Sequence, residues 1–184
     1  MAGILTVQTI QGPTSGANAN KVIIPAGQTL DASAGGMTLP AGVGGKVLQV
    51  VTHTFTDSSN ITSSSFTDAT NSSVSITPTS TSSKILIIAN LQLGNGGNVQ
   101  NSDGEFRIVR EGTTEVIKAV HRTYDYGGSA VYIHVSHALN ALDSPATTST
   151  IGYKVQIRVL NTVAFALNDE PSSTSSITLM EIAA

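Results

Sequence analysis

The sequence predicts an all-β protein, with an extended N-terminal arm over residues 1–45 and an antiparallel, jelly-roll-like β-sandwich head over residues 46–184. Three observations carry this expectation. From Lys46 onward, apolar stretches of strand length are separated by Gly, Pro, Ser, Thr and Asn clusters about every ten residues, the spacing of sandwiches and barrels. Nowhere do apolar residues hold a helical period across three turns. Charged residues make up 11% of the chain, far below the roughly 25% of ordinary globular domains, and Ser, Thr, Gly, Ala and Asn take their place. That substitution suits strand surfaces and turns.

The arm begins with a weakly alternating stretch in which Leu5, Val7 and Thr9 share a face. Gly12-Pro13 and Ser15-Gly16 then break the chain. Val-Ile-Ile-Pro-Ala-Gly at residues 22–27 returns fifteen positions later as Met-Thr-Leu-Pro-Ala-Gly at 37–42. Each copy is a short apolar run closed by a Pro-x-Gly turn, too small to bury itself, so it needs a neighbour to stack on. Val22, Ile24, Pro25, Met37, Leu39 and Pro40 are therefore the expected anchor and oligomer interface. Fully extended, such an arm spans about 150 Å at roughly 3.3 Å per residue.

In the head, Val47 to Phe55 alternates as a first strand. A Ser/Thr/Asn-rich stretch follows, holding Ile61, Phe66, Val74 and Ile76. Lys84–Leu93 is a nearly continuous apolar strand, the pattern of one covered on both faces. Glu105–Arg110 and Glu115–Val120 flank a turn and read as a hairpin. Ala130–Ala138 comes next, then Thr150–Leu160, where Ile151, Tyr153, Val155, Ile157 and Val159 oppose Lys154, Gln156 and Arg158. Ser176–Ile182 closes the set. Low-charge edges rich in Thr and Ser defend themselves poorly against pairing, and burying them in a closed ring solves the problem; a homotrimer is expected.

Few residues point to chemistry. Gly42 to Lys46 lacks the leading glycine and the following Ser/Thr of a phosphate loop, so it reads as a joint between arm and head. His134 and His137 fall on opposite faces of a strand and cannot chelate as a pair, so no metal is assigned to His53, His121, His134 or His137. Asp103-Gly104-Glu105 reads as a turn entering the hairpin, not a calcium loop. No Gly-x-Ser-x-Gly elbow is present, carboxylates are scattered, and the two glycosylation sequons at Asn60 and Asn71 are those expected by chance. No catalytic residue, cofactor or enzymatic activity is expected. Tyr124, Asp125 and Tyr126, beside Gly127-Gly128, offer stacking area and an acceptor for a host glycan or protein; the alternative is that both tyrosines cover the end of the head or a subunit seam.

A net charge of −3 without a Lys/Arg cluster argues against a nucleic-acid partner. The absence of cysteine excludes disulfides and thiolate chemistry. The first residues lack a basic n-region and apolar core, and Ile85–Ala89 is too short to cross a bilayer, so neither export nor membrane insertion is expected.

The stretch from Gly16 to Asp31 resembles the N-terminal segments of virion structural proteins from marine and cyanobacterial tailed bacteriophages. The domain from Lys46-Val47-Leu48-Gln49-Val50-Val51 to Leu179-Met180-Glu181-Ile182 is similar to the β-rich heads that follow them. Such proteins are capsid decoration proteins, head fibres or tail fibres. The arm repeat also resembles the triple β-spiral of viral fibre shafts, although two copies do not make a long shaft. The resemblance implies a trimeric protein of the virion surface, made in the host cytoplasm and partnered by itself and the major capsid protein. A cement protein or short head fibre is the leading expectation, because the chain is short and its repeat stops after two units. A tail-fibre protein mediating host adsorption is the alternative. A free carbohydrate-binding module is a third, weakened by the absence of Trp.

Overall fold

The computed structural model describes residues 14–16, 47–95, 101–111, 114–124, 132–161 and 163–183. Eleven strands run through them: β1 (Val47–Phe55), β2 (Ser59–Ile61), β3 (Thr67–Asp68), β4 (Val74–Ile76), β5 (Lys84–Gly94), β6 (Asn101–Arg110), β7 (Thr114–Tyr124), β8 (His134–Asp143), β9 (Ile151–Val159), β10 (Phe165–Leu167) and β11 (Ser175–Ile182). No helix occurs among the described residues. The predicted all-β class therefore holds. Apart from residues 14–16, the arm lies outside the described residues, and so do its repeat, the residues assigned there (Val22, Ile24, Pro25, Met37, Leu39, Pro40) and the joint at Gly42 to Lys46.

The strands form two antiparallel sheets. In sheet A the order is β1-β11-β5, with β8 along the other edge of β5 and β10 then β2 continuing beyond the end of β11. In sheet B, β9 takes β6 on one edge, with β7 beyond it, and β4 and β3 on the other. The two sheets share one core. Ile85, Ile87, Ala89, Leu91 and Leu93 of β5 and Ile177 and Leu179 of β11 pack with Phe106 and Ile108 of β6 and the inward row of β9. Strict alternation produces this. On β9 the residues Ile151, Tyr153, Val155, Ile157 and Val159 are all buried, on the face their spacing predicted.

Several boundaries differ from the sequence reading, each for a tertiary reason. Asp103-Gly104-Glu105 is not a turn but part of β6, all three paired with β7 and Gly104 and Glu105 also with β9. Glycine is required there by close packing: a Cβ on Gly104 would stand 2.2 Å from Cγ of Phe165. Phe165 belongs to β10, a three-residue strand too short to show a period. Strand β8 starts later and runs on to Asp143, because residues His134–Asp143 pair with the whole of Gly94–Ile85 and this register overrides the weak strand preference of Asn140 and Ala141. The hairpin stands as expected, with β6 and β7 paired from Arg110↔Thr114 to Asn101↔Tyr124. Tyr124, expected to open a loop, instead closes β7.

Polar devices lock the ends of the sandwich. Asn168 adopts φ 54°, in the left-handed region that asparagine tolerates better than most residues. It donates from Nδ2 to the Phe55 carbonyl at 3.0 Å and accepts from Ser175 Oγ at 2.7 Å. At another point Tyr153 Oη donates to Asp143 Oδ2 at 2.7 Å, and Arg110 Nη1 holds the same oxygen at 3.0 Å. Asp143 belongs to sheet A and the other two to sheet B, so this triad ties the sheets together. Burial first, and then the Asp143 carboxylate, push the tyrosine hydroxyl well above its ordinary range.

Candidate functional site

The outer face of sheet B carries a dense charge network. Register places Glu105 opposite Arg158, Arg107 opposite Lys118 and Asp103 opposite Arg122. Arg158 Nε donates to Glu105 at 2.7 Å, Arg107 Nη1 to Glu115 at 3.0 Å, and Lys154 pairs with Asp68. Phe66 lies beneath two guanidinium groups, 3.8 Å from Arg107 and 4.6 Å from Arg158. Such a face is solvated and held by its own pairs.

The outer face of sheet A is its opposite. Register aligns Val50, Met180, Leu86 and Leu142 in one row across β1, β11, β5 and β8. The next row is Thr52, Thr178, Ile88 and Asn140, and the third is Thr54, Ser176, Asn90 and Ala138. None of these twelve positions carries an ionisable side chain. Val50 is 53% exposed and Leu142 54%, while Leu86, Ile88 and Met180 are half-buried. The sequence expected β5 to be covered on both faces. Among the described residues only the inner face is covered.

The histidines divide as their spacing required. His134 faces outward, 3.1 Å from Glu170 and stacked against Tyr132, whereas His137 turns inward. What spacing did not reveal is that His137 meets His121 across the gap between the sheets. Nδ1 of His121 and Nε2 of His137 lie 2.8 Å apart and share a hydrogen bond, one ring donating its N–H to the other's lone pair. Phe106 packs edge-on against His137, and Phe165 lies beside His121. His121 is only 4% exposed, and burial together with a second nearby imidazole pulls it down to about 4 against the opposing field of Asp103. Burial lowers His137 as well. The pair is thus held neutral and fills the inter-sheet seam. His53 Nε2 donates to the Asn71 carbonyl at 2.6 Å in the tautomer protonated there.

No three His, Asp or Glu side chains cluster as a metal centre requires among the described residues. Nor is any helix among them long and apolar enough to cross a membrane. One shallow hollow is lined by Ser73, Glu111, Gly152 and Lys154, with Glu111 Oε1 occupied by the Gly152 N–H at 3.0 Å. Of the predicted contact residues, Tyr124 ends β7 with its backbone paired to Asn101, while Asp125 and Tyr126 lie outside the described residues. Beyond them stands Tyr132, 61% exposed, which the sequence reading did not single out.

Comparison of the sequence with protein-family models and with curated proteins finds no match.

Proposed function

We propose that this chain is a non-enzymatic structural protein of a tailed-bacteriophage virion surface, a homotrimer that decorates the capsid and is anchored by residues 1–45. The observation that carries the proposal is the nesting of its strand pairs. With the short β2, β3 and β10 set aside, eight strands remain, and they pair from the outside inward: β1 with β11, β4 with β9, β5 with β8, β6 with β7. A single long hairpin, folded over so that alternate pairs fall in opposite sheets, has this connectivity. It supports a jelly roll, an architecture used by viral capsid and lectin domains. Fold alone does not assign function. The resemblance of Gly16 to Asp31 to phage virion arms supplies the virion context.

As a decoration protein it acts by mass action, since arms bound across assembled subunits stabilise the shell and not its dissociated parts. Deleting residues 1–45 is expected to leave a soluble head that no longer attaches to particles. Attachment of the truncated head would refute the anchoring role. Counting copies on imaged particles separates a shell location, with many copies, from a tail location with few.

Exposed Tyr132, its ring stacked on His134, favours a second reading in which this end of the head touches a host receptor. Under that reading, particles bearing Tyr124→Ala, Tyr126→Ala and Tyr132→Ala assemble normally but adsorb poorly. Unchanged adsorption would remove these tyrosines from that role.

A further inference from the structure

We infer that copies of this chain associate through the outer face of sheet A, the apolar row Val50, Met180, Leu86 and Leu142 together with Ile88 beside it. This rests on the homo-oligomeric part of the proposed function and identifies the surface it would use. Three observations converge on a second copy as the occupant.

The first is the contrast between the faces. The outer side of sheet B is crowded with paired charge, whereas the three central rows on sheet A hold none. Depletion of charge with retention of aliphatic and Met side chains marks the core of a protein interface. The second is area. Four strands at ~4.8 Å spacing, paired over eight to ten residues at ~3.4 Å each, make a face of ~19 by ~30 Å, or roughly 550 Å² per copy. Two such faces bury about 1,100 Å², just above the ~1,000 Å² a specific interface needs. The third is self-compatibility. On one side of the apolar row the next two rows present only Thr, Ser, Asn, Ala and Ile, whose hydroxyls and amides both donate and accept; on the other side stand Ile182 and the exposed Lys84. A second copy meets no charge over the three central rows, with Lys84 standing at the rim beyond them. The β1 edge beside this face carries no charged residue either, so nothing on it resists an approaching chain.

The test uses the full 184-residue chain. Light scattering on the wild type is expected to give a multiple of 18.9 kDa, about 38 kDa where two faces pack on each other and about 57 kDa where three meet around one axis. Val50→Glu and Leu142→Glu change side chains already more than half exposed, so they fold, and each is expected to shift the mass to 18.9 kDa. Lys118→Glu, on the charged face, is expected to leave the oligomer intact. If the wild type is monomeric, the oligomeric reading fails and the inference falls with it. If the wild type is oligomeric and both sheet A variants stay so, the reading stands and the inference is overturned. Cysteine labelling provides an independent readout, because the chain has no cysteine of its own. A thiol at Thr178→Cys is expected to react with a maleimide at least about tenfold more slowly than one at Lys118→Cys, and equal rates would refute burial of this face.

Discussion

Glu181 offers the sharpest test of the energetics. Its side chain is fully buried on β11, and three donors converge on its carboxylate: Gln49 Nε2 at 2.6 Å, the Thr79 amide at 2.7 Å and the Thr79 hydroxyl at 2.7 Å. Burial by itself opposes ionisation, but the hydrogen bonds from Gln49 and Thr79 outweigh it and hold the carboxyl at about 2, below its ordinary 4.5. Between those values the unfolded chain takes up a proton that the folded chain refuses, so stability rises with pH across that window. The contribution is complete above the ordinary value and is lost as pH falls through about 2. At 1.36 kcal/mol per pH unit the gap corresponds to ~3 kcal/mol, and water reaching the exposed Thr79 screens it to about 2 kcal/mol. Glu181→Gln keeps the shape but turns an –NH2 toward one of the donors. We expect a loss of about 2–3 kcal/mol at pH 7, measured by urea unfolding followed by far-UV circular dichroism at fixed protein concentration. The difference from wild type should narrow as pH approaches 2, where the native carboxylate takes up its proton. A loss under ~0.5 kcal/mol, or a gap that does not change with pH, would refute the reasoning.

Other perturbations follow from the same geometry. Gly104→Ala drives a Cβ into Phe165 and is expected to cost about 3 kcal/mol or more, read as a lowered urea midpoint; a midpoint within error of wild type would show that β10 yields freely. Asn168→Ala removes the donor to the Phe55 carbonyl and the acceptor for Ser175 and strains a left-handed turn, with an expected loss of about 2–3 kcal/mol in the same assay. His121 should titrate near pH 4 by NMR. Because the unfolded imidazole binds its proton near 6.5, stability falls as pH drops from 6.5 towards 4, a window above that of Glu181. A His121 midpoint at or above 6.5 would mean that the seam admits water.

The amino-acid sequence by itself determined the class, most of the strands and which residues of each strand face inward. Those depend on a period of two and on turn residues, both local. The inward row of β9 and the β6–β7 hairpin were legible for that reason, and so was the separation of His134 from His137. What the tertiary structure alone decided is who neighbours whom. A period of two assigns a side chain to a face but says nothing about the strand lying alongside. Hence the alignment of Val50, Met180, Leu86 and Leu142, the meeting of His121 with His137, and the need for glycine at position 104 were invisible in the chain. One trace of the first was present all the same. The unbroken apolar run of β5 called for cover on two faces, and the described residues supply cover for one.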